Sequence, residues 1–327
     1  MHIVIQFALI SVAIFFVIAF GLILSQPASG HISGKTLQFE ATRLGGTADI
    51  PLRYYEAGDG TTLGYRYLPG KSDDVPLLVF VHGSGWHGQG YVQFAEAVHG
   101  EGDIAVALPD LRGHGPHPQR RGDVNYIGQL EDDIAELISI LRHPGQKLVL
   151  GGHSSGGGLV IRYAGGRHGS DLDQAVLIAP FLKYNAPTMR PNSGGWAHAL
   201  VRRIAGLKML NMIGISQLNG LTAIEFNFPD SVLQGPLGAT ATQSYSYRLN
   251  ESYAPRADYL KDVAALPPFL LIAGRDDEAF QAEAYQPTLS EATEKGRYVL
   301  LDKTGHLDVY NKPETAQIIR DFVLGKD

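Results

Sequence analysis

The chain has 327 residues, 44% of them apolar and 18% charged, a balance that suits a globular protein and excludes both a disordered chain and a polytopic membrane protein. A net charge of −6 leaves no excess of Lys and Arg to neutralise phosphates, so nucleic acid is not an expected partner. The absence of cysteine excludes a disulfide framework, a thiolate nucleophile and a cysteine-ligated metal site.

Ile3 to Leu24 is an uncharged run of 22 residues, which as a helix at about 1.5 Å per residue is long enough to cross a bilayer. A secretory signal has an apolar region of only about 7 to 15 residues behind a basic start. A single-pass anchor over residues 1–24 is therefore expected, with the membrane as partner, although the small residues Ala28, Ser29 and Gly30 offer a cleavage site. Lys35 and Arg43 are too few to set the side of the membrane. Residues 25–34 read as a polar linker, and the folded domain as 35–327.

Leu52 to Glu56 and Thr62 to Leu68 flank an Ala-Gly-Asp-Gly turn and predict a β-hairpin. Six short apolar runs without alternation follow, at Leu77 to Val81, Ile104 to Leu108, Leu148 to Leu150, Ala175 to Ile178, Phe269 to Ala273 and Tyr298 to Leu301, as strands buried on both faces should appear. Helical patterns lie between them. In Tyr126 to Leu141, Ile127, Leu130, Ile134, Leu137, Ile138 and Leu141 make one stripe, with Glu131, Asp132, Asp133 and Glu136 elsewhere. This alternation predicts an α/β fold with a mostly parallel central sheet, helices on both faces and ligands at the carboxyl ends of the strands. The rhythm breaks at about 181–255, read as an inserted cap whose best helix is Trp196 to Met212, with Trp196, Leu200, Ile204, Leu207 and Leu210 on one side and Arg202, Arg203 and Lys208 turned away. That helix reads as a cover over the core, or as a surface that meets lipid.

Behind the strand Leu148 to Leu150 comes Gly151-Gly152-His153-Ser154-Ser155-Gly156, leading into a helix. The G-x-S-x-G frame centres on Ser154, since a frame on Ser155 would put His153 where glycine is needed. A serine hydroxyl needs a base and a carboxylate to orient it. Gly274-Arg275-Asp276-Asp277 follows one strand and Gly305-His306 follows the next, giving the order serine, acid, histidine. His82-Gly83-Ser84-Gly85 follows Leu77 to Val81, where the N–H of Ser84 could join that of Ser155 in facing an oxyanion. Gly83, Gly85 and Gly88 with Asp110 also spell a dinucleotide-binding fingerprint, but the hairpin before them and the bulk of Trp86 and His87 argue against it. No carboxylate stands at ligand spacing beside His82 or His153, so they are expected in packing or hydrogen bonding and no metal or other cofactor is expected. Asp110 to Gly115 reads as a rigid turn without catalysis.

These motifs together resemble the lysophospholipase, monoacylglycerol-lipase and serine aminopeptidase-like branch of the α/β-hydrolases, over roughly Leu52 to Gly325 with the cap unmatched. The resemblance implies Ser154 as nucleophile, Asp277 as acid, His306 as base, and Ser84 and Ser155 as oxyanion donors. Pro116-His117-Pro118 departs from the family pattern, which usually continues with a small polar residue. The expected activity is hydrolysis of a small-molecule ester or lipid-like substrate through an acyl-enzyme. The same residues would serve amides, thioesters or carbon–carbon bonds, and the non-enzymatic alternative is a membrane-tethered binding protein on a hydrolase scaffold.

Overall fold

From the N-terminus, α1 (His2–Leu24) precedes the hairpin of β1 (Arg53–Glu56) and β2 (Thr62–Leu68). An alternation follows of β3 (Leu77–Val81), α2 (Val92–His99), β4 (Ala105–Pro109), α3 (Gln129–Leu141), β5 (Leu148–His153), α4 (Ser155–Ala164) and β6 (Gln174–Ile178). The chain then makes an excursion through β7 (Ala197–Ala199), α5 (Val201–Met212), β8 (Thr222–Phe226), α6 (Asp230–Leu233), β9 (Ser244–Ser246), α7 (Tyr247–Tyr253) and α8 (Tyr259–Ala264). It returns as β10 (Phe269–Gly274), α9 (Tyr285–Ser290), β11 (Gly296–Leu301) and α10 (Pro313–Leu324). The computed structural model describes residues 2–30, 35–39 and 50–326, so Arg43 and residues 31–34 of the linker lie outside the described residues.

Apolar strands without alternation must be covered on both faces. Every residue of β3, β4, β5 and β10 is buried accordingly, within an eight-stranded sheet of order β1-β2-β4-β3-β5-β6-β10-β11. β2 runs antiparallel to β1 and β4, and the other neighbours are parallel, so the loops after β3, β5, β10 and β11 open on one edge. This is an α/β-hydrolase fold with a small extra sheet, in which β8 pairs antiparallel with β7 and β9.

Three readings need correction. The helix expected from Tyr126 begins at Gln129, because Gly128 takes a φ of 103° that a helix cannot accommodate. On its polar side Glu131 and Asp133 are buried, Glu131 receiving Arg162 and Arg256 and Asp133 receiving Arg112. Tyr298 to Leu301, expected to be buried on both faces, belongs to the edge strand β11, where Tyr298, Val299 and Leu300 are only half-buried. The helix expected from Trp196 begins only at Val201, since Ala197–Ala199 bonds to β8 as a strand, three residues being too few for alternation to show.

α1 is apolar, long enough to cross a membrane, and exposed over most of its length. Its last turns are not free. Ala19 and Ile23 pack on Leu207 and Leu210 of α5, and a Cβ on Gly206 would lie 2.5 Å from the Ala19 carbonyl oxygen. Arg202 N–H donates to Gln26 Oε1 at 2.9 Å. Farther on, Glu225 of β8, 4% exposed, accepts from Ser29 N–H, Ser29 Oγ–H and Gly30 N–H at 3.1, 2.9 and 2.7 Å.

Candidate active site

The turn between β5 and α4 is built for closeness. A Cβ on Gly152 would lie 2.4 Å from the backbone of Gly156, and one on Gly156 would lie 2.4 Å from the Val81 carbonyl oxygen, so only glycine fits at either side of Ser154. Ser154 itself takes φ 55° and ψ −122°, a conformation costing about 1–3 kcal/mol that the surrounding bonds must hold. They do so through Ser154 N–H to Ile178 O at 2.9 Å, and through Gly158 and Phe181 N–H groups to Ser154 O at 3.1 and 2.9 Å.

Facing this turn, the loop after β11 brings His306 Nε2 to 3.0 Å from Ser154 Oγ, and its Nδ1 lies 2.8 Å from Asp277 Oδ2 in the loop after β10. A carboxylate only accepts, so Nδ1 carries the proton and Nε2 is left to accept from the serine. The other Asp277 oxygen receives the N–H groups of Ala279 and Phe280, each at 2.8 Å, which locks the carboxylate. Burial alone would lower the His306 pKa, but the charge and hydrogen bond of Asp277, with the charge of Glu278, outweigh it and leave the pKa raised. Asp276, next to Asp277, is exposed.

Ser84 and Ser155 come together from the loop after β3 and the start of α4, their hydroxyls 2.5 Å apart. Among the described residues, neither backbone N–H has an acceptor, so both are available to a developing oxyanion. The loop carrying Ser84 is fixed by tyrosines. Gly83 N–H donates to Tyr91 OH at 3.0 Å, and that hydroxyl lies 2.9 Å from His153 Nδ1. His153 Nε2 in turn donates to the His306 carbonyl at 3.0 Å. Gly85 N–H donates to Tyr245 OH at 2.6 Å, which bonds His114 Nε2 at 2.7 Å. His82 donates from Nδ1 to Gly83 O and accepts Leu111 N–H on Nε2. Both nitrogens of His82 and of His153 are thus occupied, and burial pushes the pKa of each ring down, keeping it neutral. Asp110, which a dinucleotide site would need open to a ribose, is buried and bound to Arg66 and to Gly88 N–H.

Two cavities meet at Ser154. One, about 70 Å³, is lined by Ser155, Phe181, Phe226, Tyr245 and Tyr253, and the other, about 40 Å³, by His306, Tyr310, Trp86, Phe228, Leu37 and Phe39. Trp196 borders both. Reasoning from sequence missed Tyr91, Tyr245, Tyr253 and Glu278. The tyrosines carry no motif, while Glu278 stands directly after Asp277 and its position was the available signal.

Residues 74–308 match the family described as serine aminopeptidase, S33. The chain belongs to this family of α/β-hydrolases. Monoglyceride lipase of Saccharomyces cerevisiae is 24% identical over 249 residues, 70% of this chain and 77% of the yeast protein. The structure of a soluble variant of that yeast lipase with a substrate analog has a TM-score of 0.63 at 16% identity, covering 85% of this chain and 96% of its own. Monoacylglycerol lipase of Mycolicibacterium smegmatis is 29% identical over 123 residues, 37% of this chain, and the match spans only 43% of that relative's length. S33 membership supplies the α/β-hydrolase scaffold.

Proposed function

We propose that this chain is a membrane-anchored serine esterase that hydrolyses uncharged lipid esters of the monoacylglycerol kind. The observation that carries the reading is the continuous hydrogen-bonded path from Ser154 Oγ through His306 to Asp277 at the junction of two apolar cavities. Ser154 Oγ attacks the ester carbonyl as His306 Nε2 takes its proton, and the N–H groups of Ser84 and Ser155 hold the oxyanion. Collapse breaks the ester C–O bond, with His306 returning the proton to the leaving alcohol. Water then gives a proton to His306 and its oxygen to the acyl carbon, releasing the fatty acid and restoring Ser154.

Substrate class follows from what lines the cavities. An aminopeptidase needs a carboxylate to hold its substrate's α-ammonium, and a lysophospholipase gains from a cation near the phosphate. Among the described lining residues of both cavities there is no Asp, Glu, Lys or Arg, which favours a neutral head group. Residues 181–255 serve in this reading as a cap, since Trp196, Phe226 and Tyr245 wall the cavities from above the sheet edge. The purified full chain in detergent should release fatty acid from monoacylglycerols faster than from lysophospholipids or aminoacyl amides, and the reverse order would sink the neutral-ester reading. The rate should fall on acidification at a pH above the ordinary histidine value, because a protonated His306 cannot accept from Ser154 and its pKa is raised. A pH profile with no acid limb near or above the histidine range would remove His306 as base.

Anchoring is supported by the exposure of an apolar helix whose burial in hydrocarbon would be strongly favourable. It is supported also by Glu225. Cleavage after Gly30, where Ala28 and Gly30 stand as small residues, would strip this buried carboxylate of its three donors from Ser29 and Gly30. Native protein should therefore sediment with membranes and resist alkaline carbonate. Mature chains beginning near His31, or release by carbonate, would refute the anchor.

A further inference from the structure

The stretch that follows α1 reaches into the active site. Leu37 is 5% exposed, and Leu37 and Phe39 both line the smaller cavity beside His306. The ring of Phe39 lies 5.4 Å from that of Trp196 and 5.6 Å from that of Phe228. Specific bonds hold this strap. Thr36 Oγ1 donates to Asn227 O at 2.5 Å, and Asn227 Nδ2 donates to Lys35 O at 3.0 Å. Gln38 N–H donates to Glu278 Oε1 at 3.0 Å, while the other oxygen of the same carboxylate accepts His306 N–H at 2.9 Å.

Which half of an ester meets this strap is fixed by the proton. His306 Nε2 must reach the leaving oxygen, so the alcohol departs on the side of His306. Both cavities touch Ser84 and Ser154, but the smaller one is lined by His306 and the larger one by Ser155 and not by His306. The alcohol therefore belongs with Leu37 and Phe39, and the acyl chain with Phe181, Phe226 and Tyr253. We propose that residues 35–39 form the specificity-determining wall of the alcohol pocket, and that Glu278 is a positioning residue that ties this wall to the loop carrying the base. The inference rests on the roles proposed above for Ser154 and His306. It goes beyond them by giving the segment behind the anchor a part in selecting substrate.

The test uses the full chain in detergent with two ester series, one holding the butyryl group constant while the alcohol grows from methyl to benzyl to naphthylmethyl, the other holding methanol constant while the acyl chain lengthens. Phe39→Ala should raise kcat/KM for the naphthylmethyl ester relative to the methyl ester by about tenfold, and Phe39→Trp should lower that ratio, with the acyl-length profile unchanged in both. Opposite signs from one position cannot come from loss of stability. Phe226→Ala should do the converse, altering the acyl profile and leaving the alcohol ratio in place. Glu278→Gln should weaken alcohol discrimination and also move the acid limb of the rate profile to lower pH. The titratable and polar groups facing the His306 ring are Asp277 and Glu278 after β10, His153 at the end of β5 and Ser154, with the uncharged Phe280 ring packed edge-on, and only the Glu278 charge is removed in this variant. Alcohol ratios unmoved by both Phe39 variants, or an acyl profile that shifts instead, would overturn the proposal while Ser154-dependent hydrolysis persisted. Hydrolysis surviving Ser154→Ala would instead overturn the catalytic reading beneath it.

Discussion

Fluorophosphonate treatment of the full chain should modify Ser154 and leave Ser155 unlabelled, and Ser154→Ala should lower ester turnover by about 10,000-fold or more. The two hydroxyls are neighbours in sequence but not in chemistry. Ser154 Oγ lies 3.0 Å from a ring nitrogen whose other side is held by a buried carboxylate, so its proton has a destination as the oxygen attacks. Ser155 Oγ is engaged with the Ser84 hydroxyl at 2.5 Å, and neither is a base. The residue of rate left in Ser154→Ala should come from the N–H groups of Ser84 and Ser155, which the substitution does not touch. An adduct mapped by mass spectrometry to Ser155, or labelling that survives the alanine variant, would move the nucleophile.

Asp277→Asn should cost about 10,000-fold in kcat, whereas Asp276→Asn should stay within about threefold of the native enzyme. The asymmetry follows from the two N–H groups of Ala279 and Phe280 that point at Asp277 Oδ1. An asparagine there would keep its oxygen on those donors and turn its NH₂ toward His306. The imidazole would then accept at Nδ1 and carry its proton on Nε2, where it can no longer receive one from Ser154. Asp276 is exposed and has no bond to the ring, so its neutralisation changes only a distant surface charge. Equal losses from the two variants would mean that the loop, not the carboxylate, matters.

The main sheet was legible because its strands carry so strong a signal: Leu77 to Val81, Leu148 to Leu150 and Phe269 to Ala273 are apolar at every position, which only a doubly covered strand explains. The meeting of Ser154, Asp277 and His306 was legible because each stands just past an apolar run, and parallel strands deliver their ends to one edge, although the run before His306 forms the half-buried edge strand β11. What escaped is governed by contacts distant in sequence. The burial of Glu131 and Asp133 was not legible, because nothing local announces Arg162, Arg256 or Arg112 as partners. Ala197 to Ala199 looked helical because a three-residue strand shows its nature only through β8. Tyr245 reaches Gly85 across 160 residues of chain, and no spacing rule spans that.

If α1 is the proposed anchor, its packing on α5 removes the slack that a tethered enzyme ordinarily has. Contacts run from Phe15 to Ile23, so α5 lies along roughly the last 12 Å of α1, at about 1.5 Å per residue. Arg202 N–H on Gln26 and Glu225 on Ser29 and Gly30 then pin the exit of that helix to α5 and to the cavity-lining strand β8. With α1 in a bilayer, as proposed, the catalytic body would neither swing on a leash nor sample the aqueous phase. Held along the last turns of α1, it would keep a fixed height and tilt and would meet substrate by lateral diffusion in two dimensions. Turnover would then track the mole fraction of ester in the enzyme's own leaflet rather than its bulk concentration. Diluting the membrane with inert lipid should slow the enzyme, while diluting the suspension with buffer should not.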